Sequence, residues 1–271
     1  MENTEVKNSG SAWKSYSSPA IITLALVAGI VIYVFVMGNP ENFEGGNPAN
    51  HPKSGSVLGL MYKGGKIVPI AMGILLMLIT FSIERIITLF AASGKGSIDV
   101  FVHKIQNHLE QNNVDAAMAE CDAQKGSVGN VIKATLRKYR EMEKEQVMDK
   151  EQKVLAIQKA LEEATALELP MLEKNLTIIA TIVSIGTLMG LIGTVLGMIA
   201  AFSALATAGA PDAVALANGI SEALINTALG ITTSTIATVA YNYFTSSIDT
   251  MTYRIDEVGY SIVQTFGSKH H

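Results

Sequence analysis

One carboxylate and a set of hydroxyls and amides stand in the least charged part of this chain. No charged residue separates Lys174 from Asp212, and Glu222 is the one charge between Asp212 and Asp249. Within these two apolar arms Thr187 and Thr194 lie seven apart. Thr227, Ser234 and Thr238 follow at i, i+7 and i+11, so each set falls on one side of a helix. Asn218, Glu222, Asn226 and Thr233 form a second polar line on another side of the later arm. Polar groups at membrane depth are tolerated where they meet one another, a backbone carbonyl or water. A carboxylate there is costly and marks an ion path or a buried partner. A second reading stays open. Glu222 lies about three turns beyond the Gly209–Asp212 break, where it would reach water at the outer interface or a neighbouring subunit.

The elements that must hold these groups are two helices. Each arm exceeds the roughly 20 apolar residues that span a bilayer, and the Gly-Ala-Pro-Asp break makes them a hairpin. Gly186, Gly190, Gly193 and Gly197 recur at offsets of four, seven and eleven, on one helix face. Such a face admits close approach by another helix, which is how helices associate in lipid. These four are the expected helix-packing residues. Small-residue faces occur in membrane helices of every function, so they define a packed bundle and nothing finer.

Composition agrees with a membrane class: of 271 residues 49% are hydrophobic and 16% charged. The net charge of −4 provides no electrostatic basis for nucleic-acid binding. One cysteine, Cys121, excludes an internal disulfide framework and suits a reducing compartment. No phosphate loop, nucleophile motif or paired Cys/His ligand set is present in the sequence. The expectation is therefore no enzyme, no cofactor and no metal. His103 and His108 are five apart, without other ligands at matching spacing, and His51 stands alone in a loop.

In chain order, residues 1–18 read as a polar cytoplasmic tail and 19–37 as a first transmembrane helix. A signal peptide competes for that run, but it is long for an h-region and no clear A-x-A site follows. Residues 38–66, rich in Gly, Pro and Asn, read as a periplasmic loop. A second span covers 67–91; its Glu84–Arg85 pair either sits at the interface or makes a buried pair, and the interface is favoured because long side chains snorkel near helix ends. Residues 92–174 carry most of the Lys and Arg and read as a helical cytoplasmic domain. Ile98, Phe101, Ile105 and Leu109 share one face, and a short helix enters through Asn113 or Asp115. One long pattern then runs from Val131 until Pro170 kinks or interrupts it. The third span is 175–207, the periplasmic turn 208–215, the fourth span 216–245, and 246–271 a cytoplasmic tail containing a short helix over Tyr253–Gln264. The basic middle segment places both ends in the cytoplasm by the positive-inside rule. The fold class is an all-α membrane protein of about four transmembrane helices, one of them extra at the N-terminus.

Three segments carry a resemblance: GLIGTVLGMIAAF (Gly190–Phe202), GISEALINTALG (Gly219–Gly230) and AYNYF (Ala240–Phe244). In this order they resemble the MotA/TolQ/ExbB proton-channel family, in wording nearer to ExbB/TolQ than to the flagellar stators. The likeness covers about the last two-fifths of the chain. It implies an inner-membrane energy transducer, with several copies (a pentamer in the usual description) around two single-span helices of an ExbD/TolR-type partner. That partner supplies an essential Asp and passes work to a TonB-type protein. By the same resemblance Thr194 and Thr227 match pore-facing threonines and Glu222 a membrane-embedded glutamate. The sequence departs where prolines are expected, with Thr187 and Ile236 in their places, and in the Thr-rich Thr232–Thr238. The candidate ion-pathway residues are thus Glu222, Thr194, Thr227, Thr187, Ser234 and Thr238. Glu222 and Thr227 lie on different sides of an ideal helix, so either stripe is eligible to face a pore, and sodium remains open as the coupling ion. The alternatives are a TolQ-like subunit, a MotA-type stator subunit, or a scaffold in which Glu222 and the glycines serve oligomer packing.

Overall fold

Apolar runs this long leave the backbone no partner but itself, and helices are the result. A computed structural model of the chain describes residues 11–206 and 213–269. The Gly209–Asp212 break and the first ten residues of the N-terminal tail lie outside the described residues. The chain is an all-α membrane protein. Four helical stretches are long and apolar enough to cross a bilayer: Pro19–Met37, and one each within Gly65–Glu110, Lys150–Ala206 and Ala213–Lys269. The helices are α1 (Ser11–Val31), α2 (Val57–Tyr62), α3 (Val68–Ser93), α4 (Ile98–Glu110), α5 (Val114–Gln124), α6 (Gly126–Lys144), α7 (Lys150–Glu173), α8 (Leu176–Ala206) and α9 (Ala213–Lys269). They divide into two compact units, one of residues up to Ile83 with Thr177–Tyr241, the other of Glu84–Leu176 with residues from Asn242 on.

In the first unit α1 already begins at Ser11, inside the expected tail, and continues through Pro19. It packs on α3 at a glycine crossing: a Cβ on Gly29 would stand 2.6 Å from the Pro69 carbonyl and 2.7 Å from the Gly73 nitrogen. The segment that continues it, Ile32–Met37, is π-helical. The 38–66 segment, a loop by composition, is built rather than slack. Asn42 Nδ2 donates to the Val36 and Met37 carbonyls at 2.9 and 3.0 Å, taking up groups that a helix end leaves unpaired. Phe43 is fully buried. Tyr33 stacks on Tyr62, ring centroids 4.6 Å apart, and its hydroxyl donates to the Tyr62 carbonyl.

The second unit packs α4 to α7 with the later half of α9. The long pattern from Val131 is in fact two helices. It stops at Lys144 because Asp149 and Gln152 close a capping box that starts α7, while Lys153 Nζ donates to the Glu145 carbonyl. Pro170 does not end α7. The helix runs on to Glu173, and the break falls at Asn175, in the left-handed region at φ 63°. Proline removes only its own bond to the Ala166 carbonyl, whereas asparagine tolerates the positive φ that a reversal needs. The expected tail 246–271 is also different. Through Lys269 it is continuous α9, burying Ile248, Met251, Ile255, Val258, Ile262 and Phe266. Phe266 meets Tyr139 edge-on at 5.0 Å, and Arg254 pairs with Asp99 at 2.7 Å.

Arg85 does not snorkel. It is 1% exposed and forks onto the Glu84 carboxylate through Nε (2.8 Å) and Nη2 (2.6 Å). Its Nη1 donates to the Leu172 carbonyl at 3.0 Å, in the last turn of α7, and Asn175 Nδ2 donates to Glu84 at 3.1 Å. A charge at this depth needs a carboxylate and the carbonyl end of a helix to hold it. Arg85→Ala is expected to destabilise the protein by about 3 kcal/mol in denaturant titrations of the solubilised chain. A change near zero would class the pair with solvated surface pairs. Burial pushes the Cys121 thiol up to about 12. At pH 8 roughly one thiol in ten thousand is then thiolate, so maleimide labelling should be negligible until the protein is denatured. Rapid labelling of the folded chain would contradict that burial.

Candidate ion-pathway site on the α8–α9 hairpin

The site is built on backbone contact. Where a Cβ on Gly186 would go, the Ser234 nitrogen and Gly230 carbonyl stand at 3.1 and 3.2 Å. Gly190 faces the Asn226 carbonyl and the Gly230 and Thr227 Cα atoms, each at 3.3 Å. Gly193 lies against the Asn226 side chain, and Gly197 against the Ala223 nitrogen at 2.7 Å. From the other side, Gly219 abuts the Ala201 nitrogen and Gly230 the Gly186 carbonyl, at 2.7 and 2.6 Å. Small residues on both helices therefore let the two backbones touch along four turns.

That contact sets the register. Thr187 Oγ1 donates to Ser234 Oγ at 2.9 Å, and Ser234 Oγ donates to the Val183 carbonyl at 2.6 Å. One heptad further in α8 is Thr194, and one heptad back in the antiparallel α9 is Thr227. The register thus brings these two to the same level on the same edge of the pair. Thr194 donates to the Leu191 carbonyl, Thr227 to Ala223 and Thr238 to Ser234, at 2.6, 3.1 and 2.8 Å. Each of these hydroxyls spends its proton within its own helix, so the edge offers lone pairs and not donors. A row of acceptor oxygens suits a cation or a water that donates to it.

The two polar stripes have separate fates. Thr187, Ser234, Thr194, Thr227 and Thr238 stay at the half-buried or exposed edge, whereas Asn226 and Thr233 are 1% and 2% exposed. Asn218 is exposed. Glu222 is not in the hydroxyl row. Its carboxylate lies directly against Gly65, in the turn that enters α3, where φ is +74° and a Cβ would occupy the carboxylate's place. Asn226 Nδ2 donates to the Gly64 carbonyl at 2.8 Å in the same turn. Lys66 and Tyr33 are close enough to feel the Glu222 charge. The docking of Gly64–Gly65 on α9 was not legible in the sequence, because nothing local links a Gly-Gly pair to a helix more than 150 residues away. The signal available was the pair itself, at the mouth of a span.

The profile of the MotA/TolQ/ExbB proton channel family matches residues 123–257. With the relatives below, the chain belongs to this family. It is 39% identical over 89 residues to a protein named ExbB-like 3 of Synechocystis sp., covering 32% of this chain and 42% of that one. It is 25% identical over 154 residues to the Tol-Pal system protein TolQ of Pseudomonas aeruginosa, covering 57% and 67%. With the biopolymer transport protein ExbB of Xanthomonas campestris it shares 28% over 112 residues, covering 41% and 44%. The chain spans between 42 and 67% of the length of these relatives.

The contact at Gly193 yields a coupled test. Gly193→Ala should destabilise the hairpin by about 1–3 kcal/mol through overpacking against Asn226. Adding Asn226→Gly should recover part of that loss. Additive costs in denaturant titration would show that the two positions do not share the space.

Proposed function

We propose that this chain is an ExbB-like subunit of an ion-driven complex in a bacterial inner membrane. Several copies, five in the arrangement usual for the family, would surround a single-span partner of the ExbD/TolR type and transmit work to a TonB-type protein. Both chain ends and the α4–α7 unit would lie in the cytoplasm, with the 38–66 segment and the α8–α9 turn in the periplasm. The observation that carries this reading is the hydroxyl row. Thr194 and Thr227 keep acceptor oxygens on the open edge of a hairpin whose other face is fully used in packing. Thr187, where the family pattern has a proline, extends the row through its bond to Ser234.

The mechanism is electrostatic coupling. An ion moves along the acceptor row and neutralises an acidic group on the partner's helix. One charge crossing the membrane releases about 2.3 kcal/mol per 100 mV. That is enough to favour one packed arrangement of subunits over another. A TolQ-like role differs only in the protein that receives the work, and the P. aeruginosa relative keeps it as the second reading.

Co-purification from native membranes, with the intact mass of the complex, tests the assembly. A single-span protein with one Asp in its helix, held by several copies of this chain, is the expected result, whereas a pure homo-oligomer under gentle extraction would favour a scaffold. Thr194→Val and Thr227→Val should each lower ion-driven activity at least tenfold while the complex still assembles. Full activity in both would remove the row from the path.

A further inference from the structure

We infer that the groove between the end of α3 and the middle of α9 binds one phospholipid with an ethanolamine headgroup. Two cavities, of about 160 and 490 Å³, share Phe90 and Ser93 and make one trough along these helices. The expected spans end at residues 91 and 245, within the stretch that the trough covers. Its first part is apolar. Leu89 and Met251, 5% and 6% exposed, form the floor, while Ile86 and Phe90 stand exposed beside them, one helical turn apart. Its second part is polar and ends on Asp99 and Arg254. An apolar trough that ends on a charged pair at a bilayer surface fits an acyl chain carrying a headgroup.

The polar groups decide which headgroup. Ser93, Ser247 and Thr250 donate to the Leu89, Tyr243 and Ser246 carbonyls at 2.9, 2.8 and 2.8 Å, each within its own helix. They therefore present lone pairs to the trough. Arg254 meets Asp99 through Nη2 at 2.7 Å and Glu257 through Nη1 at 2.8 Å, which engages only part of its fork of N–H donors. An ammonium group supplies donors to the second oxygen of Asp99 and to the hydroxyls, and the phosphate beside it takes the remaining N–H groups of Arg254. Choline has no N–H to give. A glycerol headgroup brings a negative charge, with no cation for Asp99, to a cluster that already holds one more carboxylate than guanidinium. The competing occupant is a second copy of this chain pressing side chains into the trough.

The site goes beyond the ion-driven reading and does not depend on it. The full-length chain, delipidated in detergent, is titrated with palmitoyl-oleoyl phosphatidylethanolamine, phosphatidylcholine or phosphatidylglycerol, and the lipids bound per chain are counted by native mass spectrometry. One ethanolamine lipid per chain is expected, held at least tenfold more tightly than the other two. Asp99→Asn should erase the preference over the choline lipid, and Arg254→Gln should weaken both of those lipids. Ser247→Trp fills the trough and should abolish binding. Asp99→Asn keeps the side-chain shape at an exposed position, so it decides the matter even where Ser247→Trp fails to fold. Equal affinity for the three lipids in the unaltered chain would overturn the site, as would an ethanolamine preference that survives Asp99→Asn. So would a Ser247→Trp chain that keeps its lipid but separates from its own copies, because the trough would then be an interface between chains.

Discussion

The close approach of two backbones at the α8–α9 seam is the constraint on which the membrane part of this protein depends. Lipid gives apolar side chains no reason to leave it, so helices there hold together by contact and by hydrogen bonds they can make nowhere else. Glycine at 186, 190, 193 and 197, answered by Gly219 and Gly230, brings α9 to within contact of the α8 main chain. Once the helices are that near, their rotation is decided. The buried stripe of α9 takes Asn226 and Thr233 inward, and the hydroxyls of Thr227, Ser234 and Thr238 remain on an edge. The chemistry of that edge follows from the packing of the opposite face.

The same logic of satisfying polar groups organises the second unit. Arg85 is buried yet fully engaged, with the Glu84 carboxylate on one side and carbonyls of the last turn of α7 on another. Asn175 completes the arrangement by donating to Glu84 while its own backbone makes the reversal into α8. A charged pair, a helix end and a chain reversal are thus one structure. The long α9 contributes six apolar residues of its final part to the same unit's core, which is why that part is helix and not tail.

The N-terminal helix and the segment after it bear on the candidate site in a way the family likeness does not cover. The π-helical segment that continues α1 presents Tyr33 to Tyr62, Asn42 takes up the carbonyls of its end, and the folded segment delivers Gly64 and Gly65 onto α9. Glu222 and Asn226 meet that turn and not the hydroxyl row. The hairpin therefore carries two polar sites with different surroundings, one open at its edge and one closed by its own chain.

The sequence by itself determined the class, the four apolar stretches long enough to cross a bilayer and the packing face. Uncharged runs of spanning length, a glycine every turn and three ordered segments are local facts, and lipid allows such runs no structure but a helix. The start of α7 was also written locally, in Asp149 and Gln152, although apolar periodicity ran across it. What only the tertiary structure decided was which polar stripe stays open, what Glu222 touches and whether Arg85 reaches water. Helical periodicity assigns residues to faces but does not say what covers each face. Gly64 and Asn226 are 162 positions apart, and no local pattern foretells a contact that exists because two spans happen to pack side by side.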